Sequence, residues 1–220
     1  MNIFLDAISW LFTATNWTEA SGISARLYQH IRLAAAVLLT ASAIALPIGI
    51  AIGHTRKGQE AVAAIAGAAR AIPTLGLLTL LGLILGIGLK APFIVLVVVA
   101  IPPLLAGAYS GVANVDAATV KAARALGMSE WQIVRLVELP LSAPIVLGGV
   151  RTAAVQVVAS STLAAYIADE GLGRFIFIGL AQRRYEQMVG ASVIIIILAL
   201  GVDILFGLAV KYWERRTSSL

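Results

Sequence analysis

The side chains that ordinarily make and break bonds are scarce in this chain. Its 220 residues include no cysteine, which removes thiol nucleophiles, disulfides and thiolate metal sites. The two histidines, His30 and His54, stand in different segments, so no metal ligand set is expected. No Gly-x4-Gly-Lys-Ser/Thr run occurs, so any nucleotide chemistry has to belong to another chain. No catalytic set is expected either. What remains is the polar chemistry of docking and passage, carried by one long polar interruption, Asp116 to Pro140, and by two charges, Arg151 and Asp203, inside apolar runs.

The interruption reads as two helices about a glycine. From Ala117 to Leu126, small and apolar residues alternate with Thr119, Lys121 and Arg124 at helical spacing. Gly127 is a natural stop, because it accepts the left-handed backbone of a C-terminal cap. Ser129 opens a second helix over Glu130 to Val137, which Pro140 is expected to prevent from continuing. Ala122 and Ala123 carry little bulk, so a partner's groove can admit the first helix closely, while Leu126 and Met128 offer adaptable apolar contacts. The plainer alternative is a loop lying on the membrane surface.

Composition says what positions this loop. With 60% hydrophobic and 12% charged residues and a mean hydropathy of +0.95, the chain has more apolar surface than a soluble core of its size could hide. The bilayer is therefore its solvent, and the expected fold is an all-α polytopic membrane protein. Five spans of about 20 residues are expected: Leu33 to Gly53, Ile72 to Leu89, Pro92 to about Gly111, one within Leu141 to Ala168, and Val189 to Tyr212. Residues 1–30 are read as an N-terminal interfacial segment, with Phe4, Ile8, Leu11 and Phe12 on one stripe, and residues 31–220 as the transmembrane domain, with loop 116–140 projecting into water. The formal charge of +5 reports orientation, not nucleic-acid binding. If the loop is cytoplasmic, nine basic residues from Arg56 to Arg216 share its side, with Arg151 near it, against six on the other. That asymmetry places the amino terminus outside and the carboxyl terminus inside.

The run Lys121-Ala122-Ala123, then Gly127, then Val137-x-Leu139-Pro140 resembles the coupling loop of permease subunits of ATP-binding-cassette importers, with Lys121 where that family has Glu and Val137 where it has Ile. Ala71 to Leu78, Gly86-Ile87-Gly88, Gly148 to Ala153, and Ser161 to Ile167 followed by Gly171-Leu172-Gly173 are similar to segments of its osmoprotectant branch, which carries glycine betaine, carnitine or choline. Gly107 stands in a segment where the family usually has Asn, and Asp169-Glu170 interrupts a more glycine-rich run. The resemblance implies a type I importer permease of MetI-like architecture in a bacterial or archaeal cytoplasmic (inner) membrane. It also implies a second permease subunit, self or homologue, a cytoplasmic ATPase dimer that holds ATP and Mg, and an extracytoplasmic substrate-binding protein. This chain itself would hold no cofactor. Lys121, Ala122, Ala123, Leu126, Gly127, Met128, Leu139 and Pro140 would then serve ATPase coupling. A permease for methionine or another small zwitterion is the near alternative. A secondary carrier or channel, or a membrane anchor, are alternatives of other classes.

Polar side chains facing lipid are unfavourable, so Thr74, Tyr109, Gln156, Ser160 and Ser161 are candidates for a pathway or gate, with plain interhelical hydrogen bonding as the alternative reading. Gly49-x3-Gly53, Gly82-x3-Gly86 and Gly107-x3-Gly111 allow close helix packing. Arg151 follows Pro140 by about 16 Å of helix and Asp203 precedes Lys211 by about 12 Å, so the two charges are expected at similar depth, paired directly or through water between the last two spans because an unpaired charge there is costly. The alternative is that Arg151 snorkels to the cytoplasmic edge, since the run from Leu141 is longer than a span requires. Charge reversal tests the pairing. Arg151→Asp combined with Asp203→Arg should assemble in the membrane better than either single variant, and equal failure of all three, read by membrane-fraction yield, would show that pairing is not why these charges are tolerated.

Overall fold

The computed structural model describes residues 2–58, 60, 62, 64, 67 and 71–217. Most of the alanine-rich run from Gln59 to Arg70, and with it Arg70 in the charge count, lies outside the described residues. Regular structure among the described residues is helical throughout.

The amino-terminal segment forms α1 (Ile3–Phe12) and a short α2 (Ala14–Thr18). One face of α1 is open and apolar, with Phe4, Leu5 and Phe12 at 72%, 62% and 86% exposure, while Ala7 is buried; this is the pattern of a helix lying in a membrane interface. Its end is closed locally. Asn16 Nδ2 donates to Trp10 O at 2.8 Å and Trp17 Nε1 to Leu11 O at 2.6 Å, satisfying carbonyls the helix leaves free.

Then come α3 (Ile23–Thr55), α4 (Thr74–Leu85) and α5 (Lys90–Ala113). They are followed by α6 (Ala117–Ala125), α7 (Glu130–Ile133), a π-helical turn (Val134–Glu138) and α8 (Leu139–Ser160). A 3-10 turn (Ser161–Tyr166), α9 (Gly173–Gln182) and α10 (Tyr185–Thr217) complete the chain. Among the described residues four helical runs are long and apolar enough to cross a membrane: α3, α5, the continuous run Glu130–Tyr166, and α10.

The expected second span is not among these four: within Ile72 to Leu89 the helix is the 12 residues of α4, and most of the segment that precedes it lies outside the described residues. Gly86, at φ +82°, ends α4, so this glycine serves a turn and not helix packing. The first span also starts earlier than expected, since α3 runs unbroken from Ile23 through residue 30 and past Pro47.

The described chain divides into two compact units. The first comprises Met1–Leu39, Ile72–Val99 and Val155–Gly201; the second comprises Thr40–Ala71, Ala100–Ala154 and Val202–Leu220. In the first, Ile23, Leu172 and Ile195 form a core against which Trp10, Trp17, Leu27 and Phe175 pack. Asp169 and Glu170 act as clasps: Asp169 Oδ1 lies 3.0 Å from Arg26 Nη2 and 2.8 Å from Arg174 Nε, and Glu170 accepts from Arg32 at 3.0 Å. Fully buried His30 places Nε2 at 2.9 Å from Val158 O.

The second unit is packed through its small residues. A Cβ on Gly49 would stand 2.6 Å from Ala108 Cβ, one on Gly53 2.8 Å from Tyr109 O, and one on Gly107 2.6 Å from Gly149 Cα. The last contact is backbone against backbone, so neither side has a rotamer with which to yield. Gly107→Ala should therefore lower stability by roughly 1–3 kcal/mol, the usual cost of overpacking, whereas Gly148→Ala, with nothing within 4 Å of its added methyl, should leave the purified chain's thermal unfolding in detergent unchanged.

Candidate functional site

The polar loop forms a capped helix, a glycine turn and a second capped helix. Asp116 caps α6 by accepting from Ala118 N at 3.0 Å. At its other end Met128 N donates to Ala123 O at 3.3 Å and Gly127 N to Arg124 O at 3.1 Å, the two bonds of a Schellman cap, which needs φ > 0 at Gly127, here +82°. Ser129 and Gln132 then form a reciprocal capping box, with Gln132 N donating to Ser129 Oγ at 3.3 Å and Ser129 N to Gln132 Oε1 at 2.8 Å.

Ionic contacts fix the angle between these helices. Arg124 grips Glu130 through Nε and Nη2 at 2.7 and 2.8 Å, a bidentate pair. Those hydrogen bonds hold the Glu130 carboxyl below its usual range and raise the Arg124 guanidinium further. Since the depressed carboxyl contributes only when ionised, whatever this exposed pair adds is present at neutral pH and lost as pH falls through the folded-state value. His54, at the end of α3, reaches both parts of the loop: Nε2 lies 3.2 Å from Glu130 Oε2 and Nδ1 2.8 Å from Glu138 Oε2. Carboxylate oxygens only accept, so both contacts are hydrogen bonds when the ring carries two protons. Glu138 is 3% exposed, and Arg56 Nη2 adds a bond to Val115 O at 3.3 Å.

The residues expected to dock a partner divide by exposure. Lys121, Ala122, Leu126 and Gly127 are exposed, Leu126 at 84%, and Met128 is half-buried. Ala123 is corrected: it is 6% exposed and packs inward, because neighbouring helix positions point about 100° apart. Pro140 is corrected as well. The helix does not stop before it; the backbone widens to a π turn over Val134–Glu138 and continues as α8, with Leu139 and Pro140 half-buried in its first turn. A π turn accommodates the missing N–H and the ring that an unbroken α-helix would reject. His54 was not anticipated as a partner of this loop, and Glu138 and the exposed Trp131, at 71%, were not singled out within it. A histidine ending a long helix beside the basic turn Arg56-Lys57 was the available signal, but its partner lies 84 residues away.

The pathway candidates do not behave as a set. Ser161 is 1% exposed and its Oγ donates to Val157 O at 2.7 Å, within its own helical run. Gln156 is exposed, one helical turn from half-buried Ser160, and Thr74 and Tyr109 are half-buried. Arg151 and Asp203 are brought together as a fork, Nε to Oδ1 and Nη2 to Oδ2, both at 2.6 Å. Gly207 leaves room for it, since a Cβ there would lie 3.4 Å from Arg151 Cζ.

Long apolar helices, one intramembrane ion pair and one exposed, internally braced polar loop define a multi-pass helical membrane protein of the transport-permease class. Residues 43–219 match the family described as the inner membrane component of binding-protein-dependent transport systems, and the chain belongs to that family. It is similar to the choline transport system permease protein OpuBB of Bacillus subtilis, 30% identical over 192 residues that cover 87% of this chain and 88% of the relative. It is likewise similar to the carnitine transport permease protein OpuCB of Listeria monocytogenes, 33% identical over 82% of this chain and 83% of the relative. Such permeases are not themselves enzymes. Among solved structures, an inward-facing conformation of the MetNI methionine ABC transporter matches with a TM-score of 0.74 and 25% identity over 87% of this chain and 95% of that one. The helical permease architecture expected from the sequence is thus present, with four candidate spans among the described residues.

Removing the histidine should expose what it does for the loop. His54→Ala leaves the buried Glu138 carboxylate without its imidazole partner, so it should cost about 1–3 kcal/mol in thermal unfolding, and Glu138→Gln in the same background should recover part of that loss.

Proposed function

We propose that this chain is the membrane-spanning permease subunit of an ATP-driven importer for an osmoprotectant such as choline, carnitine or glycine betaine. The observation that carries the substrate class is the near full-length similarity to permeases named for choline and carnitine transport, joined by one named for glycine betaine, carnitine and choline, 31% identical over 175 residues.

In this reading the exposed side chains of the loop, Lys121, Ala122, Leu126, Trp131 and Leu136, meet a cytoplasmic ATPase dimer that holds ATP and Mg. The amino terminus is outside and the carboxyl terminus inside. A second permease subunit completes the pathway, and an extracytoplasmic binding protein delivers substrate. The loop suits transmission because its parts are tied together: both helices are capped, Arg124 and Glu130 pair across them, and His54 ties the loop to the end of α3. ATPase closure would then move it as a body, the rigid-element mode by which small interface movements become large ones. Gln156 and Ser160, one turn apart on α8 with Gln156 exposed, are the pathway residues this reading retains. Aromatic contacts come in pairs, such as Tyr166 with Phe177 at 5.6 Å and Tyr212 with Trp213 at 6.3 Å. Tight cation recognition, which calls for several rings around one charge, is assigned to the binding protein.

Uptake of labelled glycine betaine, carnitine and choline into vesicles carrying this chain with its ATPase and binding protein tests the reading. Uptake should require internal ATP and both partners. Uptake without an ATPase would overturn it, and an assembly that hydrolyses ATP but moves only methionine or another zwitterion would overturn the substrate class alone.

A further inference from the structure

The first unit holds a cavity of about 370 Å³ apart from the polar loop, lined among others by Trp10, Phe175, Arg26, Arg174, Arg184 and Gln187. The two rings meet edge to face at 5.3 Å. Three guanidinium groups face one space, and Glu19 is the only acid in its lining.

These polar groups are not satisfied by one another. Asp169 Oδ1 is shared by Arg26 and Arg174, so one carboxylate answers two cations. Arg26 is 7% exposed and its Nε is buried without an acceptor; Arg174 Nε stands 2.8 Å from Asp169 Oδ1 but is not aligned to donate to it. Gln187 is 8% exposed, yet neither its amide nor the Arg184 guanidinium has a hydrogen-bond partner among the described residues. Two buried guanidinium donors, Arg26 Nε and Arg174 Nε, are thus left without an aligned acceptor beside the cavity, which native proteins rarely tolerate, and what they lack is an acceptor bearing negative charge.

The surroundings select the kind of anion. Trp10 belongs to α1, whose opposite face turns Phe4, Leu5 and Phe12 outward, so the cavity lies at the level where an interfacial helix rests on the bilayer. The anion that the bilayer itself supplies at that level is lipid phosphate. Guanidinium forks match phosphate oxygens, and the rings with Ile178 offer apolar contact to the glycerol end.

We propose that this cavity binds a phosphodiester anion supplied by the headgroup of an acidic phospholipid, tying α1 to α9 and α10. The inference rests on the membrane architecture and not on the substrate reading. Its test needs no transport: native mass spectrometry of the purified full-length chain, with phosphatidylglycerol or phosphatidylcholine added in detergent. Phosphatidylglycerol should be retained preferentially. Arg184→Gln and the near-isosteric Gln187→Glu, which keeps the packing but adds a repelling charge, should each weaken retention by about fivefold or more, the scale of one basic contact, while Arg183→Gln, outside the lining, should not. Equal retention by all variants, or no preference for the acidic lipid, overturns the site. Displacement of the lipid by millimolar inorganic phosphate overturns the lipid as its source and assigns the site to a soluble phosphate.

Discussion

Hydrocarbon offers a polypeptide no hydrogen-bond partner, and nearly every feature of this chain follows from that constraint. Backbone groups have to be satisfied within their own segment, which leaves the helix as the spanning element of an all-α chain. Side chains obey the same rule. Thr79, Thr152, Ser161 and Ser192 each donate to the carbonyl four residues back, so hydroxyls that could have marked a path mostly close on their own helices. Pro47, Pro102, Pro103 and Pro144 lie inside continuous helices, as membrane helices permit when neighbours take up the freed groups. Charge is admitted as the bidentate Arg151–Asp203 fork, where each partner supplies what the other would otherwise lack.

Where the chain leaves the membrane, the same economy of partners yields rigidity. The loop 116–140 has caps at three helix ends, an ionic lock between its helices and a histidine brace to α3. A loop whose own angles are fixed transmits displacement, while a loose one would absorb it. The polar side chains that brace it, Arg124, Glu130, His54 and Glu138, are distinct from the exposed apolar ones, Leu126, Trp131 and Leu136.

The first unit uses charge differently. Asp169 and Glu170, which interrupt a run expected to be richer in glycine, hold Arg26 and Arg32 of α3 and Arg174 of α9. Positive groups still exceed negative ones around the cavity beside α1, and that imbalance inside a partly enclosed space separates it from an ordinary solvated surface.

Much of this was legible in the residues themselves. Bulk hydropathy demands membrane helices whatever their arrangement. Gly127 and Ser129 announce their caps because capping is local, decided within a few residues. The Arg151–Asp203 pair could be read by counting rise per residue from two helix ends, since the cost of a lone charge in lipid leaves few other solutions. What lay beyond reach depended on contacts between distant segments or on a local strain with more than one relief. Pro140 could have stopped its helix, but the backbone took a π turn. Ala123 and Ala122 are alike in type, and only packing decided which faces in. His54 and Glu138 became partners only when the fold closed the 84 residues between them. Local energetics determined the class of structure and its caps; tertiary structure decided which polar groups met, because a partner's position is a property of the whole chain.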